Sequence, residues 1–162
     1  MQLDRRAFLG LTGVATASAV VLIGRSGGAA ASVRFPVNHT SEEWRSLLGA
    51  QRYAVLREAA TERPFTSPLL KEHRRGTFVC AGCGNALFSS ATKFESGTGW
   101  PSFWKALPRA VATRTDNSLM MERTEVLCAR CGGHLGHVFD DGPKPTGLRY
   151  CMNGLALNFR AA

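Results

Sequence analysis

Cys80-Ala81-Gly82-Cys83-Gly84 and Cys128-Ala129-Arg130-Cys131-Gly132 are the two stretches on which the fold turns. In each, two residues separate the thiols, so both sulfurs of one tight turn can reach a single ion. The trailing glycine lets the backbone fold back with its amides toward the sulfurs. Four thiolates fill a tetrahedral shell, so the spacing predicts one structural zinc with no open position. The 44 residues between the pairs are more than a small zinc ribbon contains. The metal should therefore clamp two hairpins that are distant in sequence. Structural zinc contributes roughly 10–16 kcal/mol in small domains, and a whole domain is stable by only about 5–15 kcal/mol. Two disulfides, a dithiol redox pair or an iron centre in the same shell are the alternatives that the spacing leaves open.

Short apolar runs separated by glycine and proline surround these turns. Thr77–Cys80 leads into the first pair. Leu87-Phe88, Arg109–Thr115 and Met120–Cys128 follow, the last leading into the second pair. His137–Phe139, Leu148–Met152 and Leu155–Phe159 complete the set. Many short strands between turn residues predict antiparallel sheets, and no helical pattern of useful length appears after residue 76. Before it, Thr40 or Ser41 followed by Glu42-Glu43 is a helix start. A short helix through Leu48 and a second over Ala50–Glu58 are expected, with Tyr53, Leu56 and Ala60 on one face. The expected fold is mainly β: two antiparallel sheets with short N-terminal helices, stapled by the zinc.

The first 31 residues read differently. Asp4-Arg5-Arg6-Ala7-Phe8-Leu9-Gly10 precedes an apolar run from Leu11 to Ile23, and Ala29-Ala30-Ala31 follows. This is the order of a signal segment, with adjacent arginines of the twin-arginine export type. The run is short and weak for a membrane span, which needs about 20 apolar residues; an uncleaved anchor is the alternative. Residues 1–31 are thus expected to be the signal and 32–162 the working domain, with its core at 38–160. Contact with a membrane would be transient, and the destination periplasmic or otherwise extracytoplasmic. Twin-arginine export carries folded chains, so zinc could be loaded before the thiols meet an oxidising compartment.

The chain has 162 residues, 44% hydrophobic and 20% charged, with a formal charge of +8. That composition is globular. The basic residues are scattered, with no aromatic-interleaved stripe, so the charge reads as solvated surface and nucleic acid is not expected as a partner.

Five cysteines less four leaves Cys151, in Arg149-Tyr150-Cys151-Met152-Asn153. An ordinary thiol is only roughly 3% ionised at pH 7, so a reactive one needs cationic or donor neighbours. Arg149 and Asn153, two residues either side, would share its strand face. His134 and His137 supply two imidazoles, and Asp140 and Asp141 could orient an imidazole or an arginine. Cysteine with histidine and Asn or Asp is the pattern of an activated thiolate. On residues alone, an inert buried thiol and a simple Asp-Asp-Gly-Pro turn explain the same stretch. Trp100, between Gly99 and Pro101, is held in a turn where its ring could wall an apolar pocket; packing of core aromatics is the plainer reading.

Four segments taken together resemble one family. They are Thr61–Phe65 (Thr-Glu-Arg-Pro-Phe), Lys93–Phe103 (Lys-Phe-Glu-Ser-Gly-Thr-Gly-Trp-Pro-Ser-Phe), His134–Pro143 and Pro145–Asn153. In the same order as both cysteine pairs, they are similar to the type B methionine sulfoxide reductases, the peptide-methionine (R)-S-oxide reductases, from about Asn38 to Phe159. The resemblance implies two antiparallel sheets, one structural Zn2+ held by Cys80, Cys83, Cys128 and Cys131, and Cys151 as nucleophile. It implies that His134, His137 and Asn153 meet the sulfoxide oxygen or a water beside it and supply protons. Arg149 and Asp141 would shape the electrostatics. Trp100 would pack on the ε-methyl group and fix the R configuration, and Phe139 would help to bind substrate. Oxidised proteins or peptides would be the substrates of a monomeric enzyme. One departure matters: many members carry a resolving cysteine where this chain has Thr98. With the other cysteines assigned to zinc, a sulfenic acid on Cys151 would be reduced directly by a small thiol or a thioredoxin-like partner. Two rivals are a zinc-binding module without catalysis, which leaves Cys151 and the histidines without a role, and a disulfide reductase, which needs a second free thiol.

Overall fold

Thr40 caps the one α-helix, α1 (Ser41–Glu58), in a computed structural model that describes residues 35–162. Its hydroxyl accepts from the Glu43 amide, while the Glu43 carboxylate accepts from the Thr40 amide, a reciprocal capping box. Gly49, at φ 68°, interrupts the helical geometry, so α1 is two helical segments meeting where the sequence predicts one to stop and the next to begin. Trp44, Leu48, Tyr53, Val55 and Leu56 are its buried side chains. Ala59 closes it in the left-handed conformation, which leaves Ala60 beyond the helix. No helix among the described residues is long and apolar enough to cross a membrane. The signal-segment reading of residues 1–31 lies outside the described residues.

Nine strands follow: β1 (Gly76–Cys80), β2 (Ala86–Ser89), β3 (Lys93–Phe94), β4 (Ser102–Phe103), β5 (Val111–Asp116), β6 (Arg123–Cys128), β7 (His134–Phe139), β8 (Arg149–Met152) and β9 (Leu157–Ala161). They form two antiparallel sheets, one ordered β2-β1-β9 and the other β3-β4-β8-β7-β6-β5. The fold is mainly β, as the turn-separated apolar runs predict. Met120 and Met121 fall outside β6, because Met120 takes a positive φ at the end of a 3-10 turn. The two-residue strands β3 and β4, inside a segment that reads as a turn, are too short to show a period of their own.

The sheets meet through aromatic side chains. Phe88 stacks on Phe103 at 4.4 Å between centroids, and Phe78 meets the edge of Phe103 at 4.9 Å. All three are fully buried. Burying each ring contributes about 1.5–3 kcal/mol, and the ring–ring geometry roughly 0.5–1.5 kcal/mol more per pair. The shared ring, Phe103, belongs to β4, beside β8. Packing of the core and placement of Cys151 therefore rest on the same short strand.

Candidate active site and metal centre

β1 ends at Cys80 and β6 at Cys128, so each sheet delivers one cysteine turn. The turns are built alike. The Gly84 amide donates to the Cys80 carbonyl and the Gly132 amide to the Cys128 carbonyl, with φ of 71° and 68° at the two glycines. The four sulfurs all lie within 4.8 Å of one another. Cys80 Sγ and Cys131 Sγ are 3.7 Å apart, Cys83 Sγ and Cys128 Sγ 3.5 Å. A sulfur–metal distance of about 2.3 Å in a tetrahedron puts ligand sulfurs about 3.8 Å apart, so the set fits one small ion. It does not fit two disulfides, which need about 2.05 Å, and all five cysteines are free thiols. The Asn85 amide donates toward Cys128 Sγ at 3.6 Å, a further donor for thiolate charge. α1 covers the centre: Trp44 and Leu56 lie against Gly82, and Leu56 against Gly133.

Cys151 occupies the third position of β8, half-buried, in register with Ser102 of β4 on one side and His137 of β7 on the other. Cross-strand partners point to the same face. One row therefore runs Ser102, Cys151, His137, Glu125, Arg114 across the sheet. The next row holds Arg149 opposite Phe139, and the guanidinium lies 4.4 Å over that ring. Both Nε and Nη2 of Arg149 donate to Asp141, each at 2.8 Å. This pairing raises the arginine's pKa and holds the Asp141 carboxyl below the usual range; the thiol of Cys151 is a smaller contributor to the arginine's shift.

Histidines at i and i+3 of a regular strand face opposite ways. Here the pairing of β6 with β7 slips by one residue between Val126 and Leu127, a bulge that leaves Leu135 unpaired. It brings the rings of His134 and His137 to 5.5 Å between centroids. His134 Nδ1 lies 2.7 Å from Glu125 Oε1, and His137 Nε2 lies 2.8 Å from Asp116 Oδ2. Burial pushes Glu125 up, but hydrogen bonds from Arg114 and His134 outweigh it and leave the carboxyl below its ordinary value. Asp116 is held low by Ser118 first and His137 after it. Both carboxylates are ionised and can only accept, so each imidazole donates to its own carboxylate. The imidazoles are thus oriented by Asp116 and Glu125 on adjacent strands. Of the two partners expected for Asp140 and Asp141, an imidazole or an arginine, Asp141 takes the arginine, Arg149; both carboxylates are exposed and neither orients a histidine. Nothing local in the sequence marks Asp116 or Glu125, because their partners arrive only with the pairing of β5, β6 and β7.

Asn153 differs from its expected place as well. β8 ends at Met152, and Asn153 begins a 3-10 turn with its side chain buried. The side-chain oxygen accepts from the Glu62 amide at 2.8 Å, and its NH2 donates to the Leu135 carbonyl at 3.2 Å. Glu62 lies in the Thr-Glu-Arg-Pro-Phe segment, which ties the site together. Its carbonyl accepts from Trp100 Nε1 at 2.9 Å, and its buried carboxylate accepts from the Gly154 and Leu155 amides at 2.6 and 3.2 Å. A cavity of about 130 Å³ opens between these parts, with Trp100, His137, Phe139, Cys151 and Asn153 among its walls. His134 and Arg149 stand behind it. Thr98 Oγ1 is 3.7 Å from Cys151 Sγ.

Fold and site together define a thiol-based oxidoreductase clamped by four cysteines. Residues 48–161 match the SelR domain family. The "Peptide methionine sulfoxide reductase MsrB" of Leptospira interrogans is 52% identical over 129 residues, covering 79% of this chain and 98% of its own. The proteins of the same name from Bradyrhizobium diazoefficiens and Methanosarcina barkeri are 60% and 53% identical, over 73% and 76% of this chain and 86% and 88% of their own. The chain belongs to the SelR family of MsrB-type peptide methionine sulfoxide reductases.

Proposed function

We propose that this reductase converts the R epimer of methionine sulfoxide in proteins to methionine through a sulfenic acid on Cys151. The observation that carries the reading is the placement of Cys151: the one thiol outside the cysteine turns opens into a cavity walled by Trp100 and faces His137 across the sheet. The thiolate attacks the sulfoxide sulfur, and the oxygen passes to Cys151 with one proton. Methionine leaves, reduced by two electrons, and the cysteine becomes Cys–SOH. Two external thiols then return it to the thiol, yielding one disulfide and one water.

His137 is the proton donor closest to hand: its Nε2–H is directed at Asp116, and as the doubly protonated imidazolium it gives the Nδ1 proton to the departing oxygen and is left neutral. His134, kept neutral by burial despite Glu125, backs it. Arg149, charged and fixed by Asp141, favours the thiolate. Asn153 shapes the cavity wall and offers its remaining N–H. Trp100 and Phe139 receive the methyl-bearing end of the side chain, and the fixed indole sets the handedness. Zn2+ is the ion proposed for the four cysteines, holding the two sheets in register and taking no part in the chemistry.

Thr98 stands next to Cys151 where a second thiol would be needed to resolve the sulfenic acid internally. No cysteine precedes Cys80. The reductant is therefore a small thiol or a thioredoxin-like protein acting directly on Cys151. The order of residues 1–31 supports twin-arginine export to an extracytoplasmic space. Replacing Arg5 and Arg6 with lysine should strand the protein in the cytoplasm, and undiminished export would refute this.

The deciding assay gives the purified chain separate R and S sulfoxides of a blocked methionine with dithiothreitol, beside Cys151→Ser. Turnover of the R form alone, abolished in the variant, is expected. Activity surviving in the variant would remove Cys151 from the role of nucleophile.

A further inference from the structure

Trp100 walls two cavities. A second one, which Cys151 does not line, has about 470 Å³ between Trp100, Phe65, Leu70, Gly97 and Gly99. Its rim carries Lys71, His73 and Glu95. Phe65 leaves 70% of its surface in solvent. Its backbone is at φ 65°, a left-handed conformation that disfavours a bulky residue. Two contacts impose that conformation. The Phe65 amide donates to the Gly99 carbonyl at 2.7 Å, and a Cβ on Gly99 would lie 2.9 Å from the Phe65 ring. The chain thus holds an aromatic ring in water, under strain, on a segment bonded to the loop that carries Trp100. Such an outlier points to a use for the ring.

We infer that the second cavity is a subsite for the substrate polypeptide, in which an apolar side chain neighbouring the oxidised methionine packs on Phe65. This rests on the reading of the first cavity as the methionine sulfoxide site. The occupant follows from continuity. Both cavities share Trp100 as a wall, so a polypeptide whose oxidised side chain sits beside Cys151 can run past the indole and bring a neighbouring residue to Phe65 and Leu70. A free amino acid cannot reach there, so the subsite favours protein-bound sulfoxide. It also favours aromatic or branched apolar neighbours over glycine.

The test compares kcat/KM for a blocked single methionine-R-sulfoxide and for pentapeptides carrying it between glycines or between leucines, all with dithiothreitol. Phe65→Asn tolerates positive φ and removes the ring, and Phe65→Gly checks the backbone. The wild-type chain should prefer the leucine-flanked peptide by about tenfold, the scale of one partly buried apolar side chain. Both variants should lose that preference while changing the single-residue substrate by less than about twofold. A preference absent from wild type, or kept in both variants, would overturn the subsite. So would an equal loss on all three substrates, which would make Phe65 a support for Trp100. Slower turnover only with a thioredoxin-type protein reductant would assign the surface to the reductant instead. Wild type reducing none of the sulfoxides is a separate result, and brings down the proposed function itself.

Discussion

His134 Nδ1 and Glu125 Oε1 lie 2.7 Å apart, both side chains about 5% exposed. Burial lowers the pKa of His134 more than Glu125 raises it, so the ring is neutral in the folded protein near pH 7. A depressed histidine binds its proton less readily folded than unfolded. Its contribution to stability is therefore full above the unfolded value of about 6.5 and is lost as pH falls below it. Glu125, Asp116 and Asp141 are depressed too, and their contributions fade only below about pH 4.5. Melting temperature should fall in two stages on acidification, the first beginning near pH 6.5. In Glu125→Gln the anionic partner is gone, so the His134 titration read by NMR should move lower still. An upward move would mean that the carboxylate does not govern that ring.

Metal removal should act on the fold before the chemistry. A centre worth roughly 10–16 kcal/mol exceeds the usual stability of a domain. Cys128→Ala, which ends β6, should purify without bound zinc and lack a cooperative melt, while Cys151→Ser keeps one ion per chain and a wild-type melt. Elemental analysis and calorimetry read both. A folded, metal-free Cys128→Ala would show that packing of Phe78, Phe88 and Phe103 suffices without the clamp.

The sheets, the helix break at Gly49 and the four-sulfur cluster are legible in the sequence because each depends on neighbours within a few residues: an alternation, a cap, a two-residue spacing. The carboxylates behind the histidines are not. Asp116 and Glu125 meet their imidazoles through strand register, and the bulge beside Leu135 that turns His134 toward His137 has no local signature beyond Gly136. Asp141, five residues along the chain from Gly136, is open to either an imidazole or an arginine, and takes Arg149. Glu62 escapes for the same reason. Its partners, Asn153 and Gly154, lie about ninety positions away, and its carbonyl contact to Trp100 is blind to side-chain identity.

Glu62→Ala would strand the amides of Gly154 and Leu155, the first of them buried, each costing roughly 1–3 kcal/mol. The same segment holds Trp100 Nε1 and Asn153, so the cavity walls should loosen with it. The variant should melt several degrees lower, and its KM should rise more than its kcat falls. Glu62→Gln keeps one acceptor and should recover most of the stability. A variant with normal KM and lowered kcat would place Glu62 in the proton-transfer step instead.

Thr98→Cys tests the single-thiol cycle from the other side. Thr98 Oγ1 sits 3.7 Å from Cys151 Sγ, on a loop flanked by Gly97 and Gly99 at φ of 73° and 91°. A sulfur there needs to move by less than about 2 Å to bond Cys151. After one equivalent of sulfoxide without reductant, the wild-type chain should lose one titratable thiol and gain a group trapped by dimedone. The variant should lose two thiols, resist dimedone and show a 98–151 disulfide in peptide maps. A wild-type chain that already forms an internal disulfide with Cys151 would force one of the four clustered cysteines into the cycle, and the clamp could then not be purely structural.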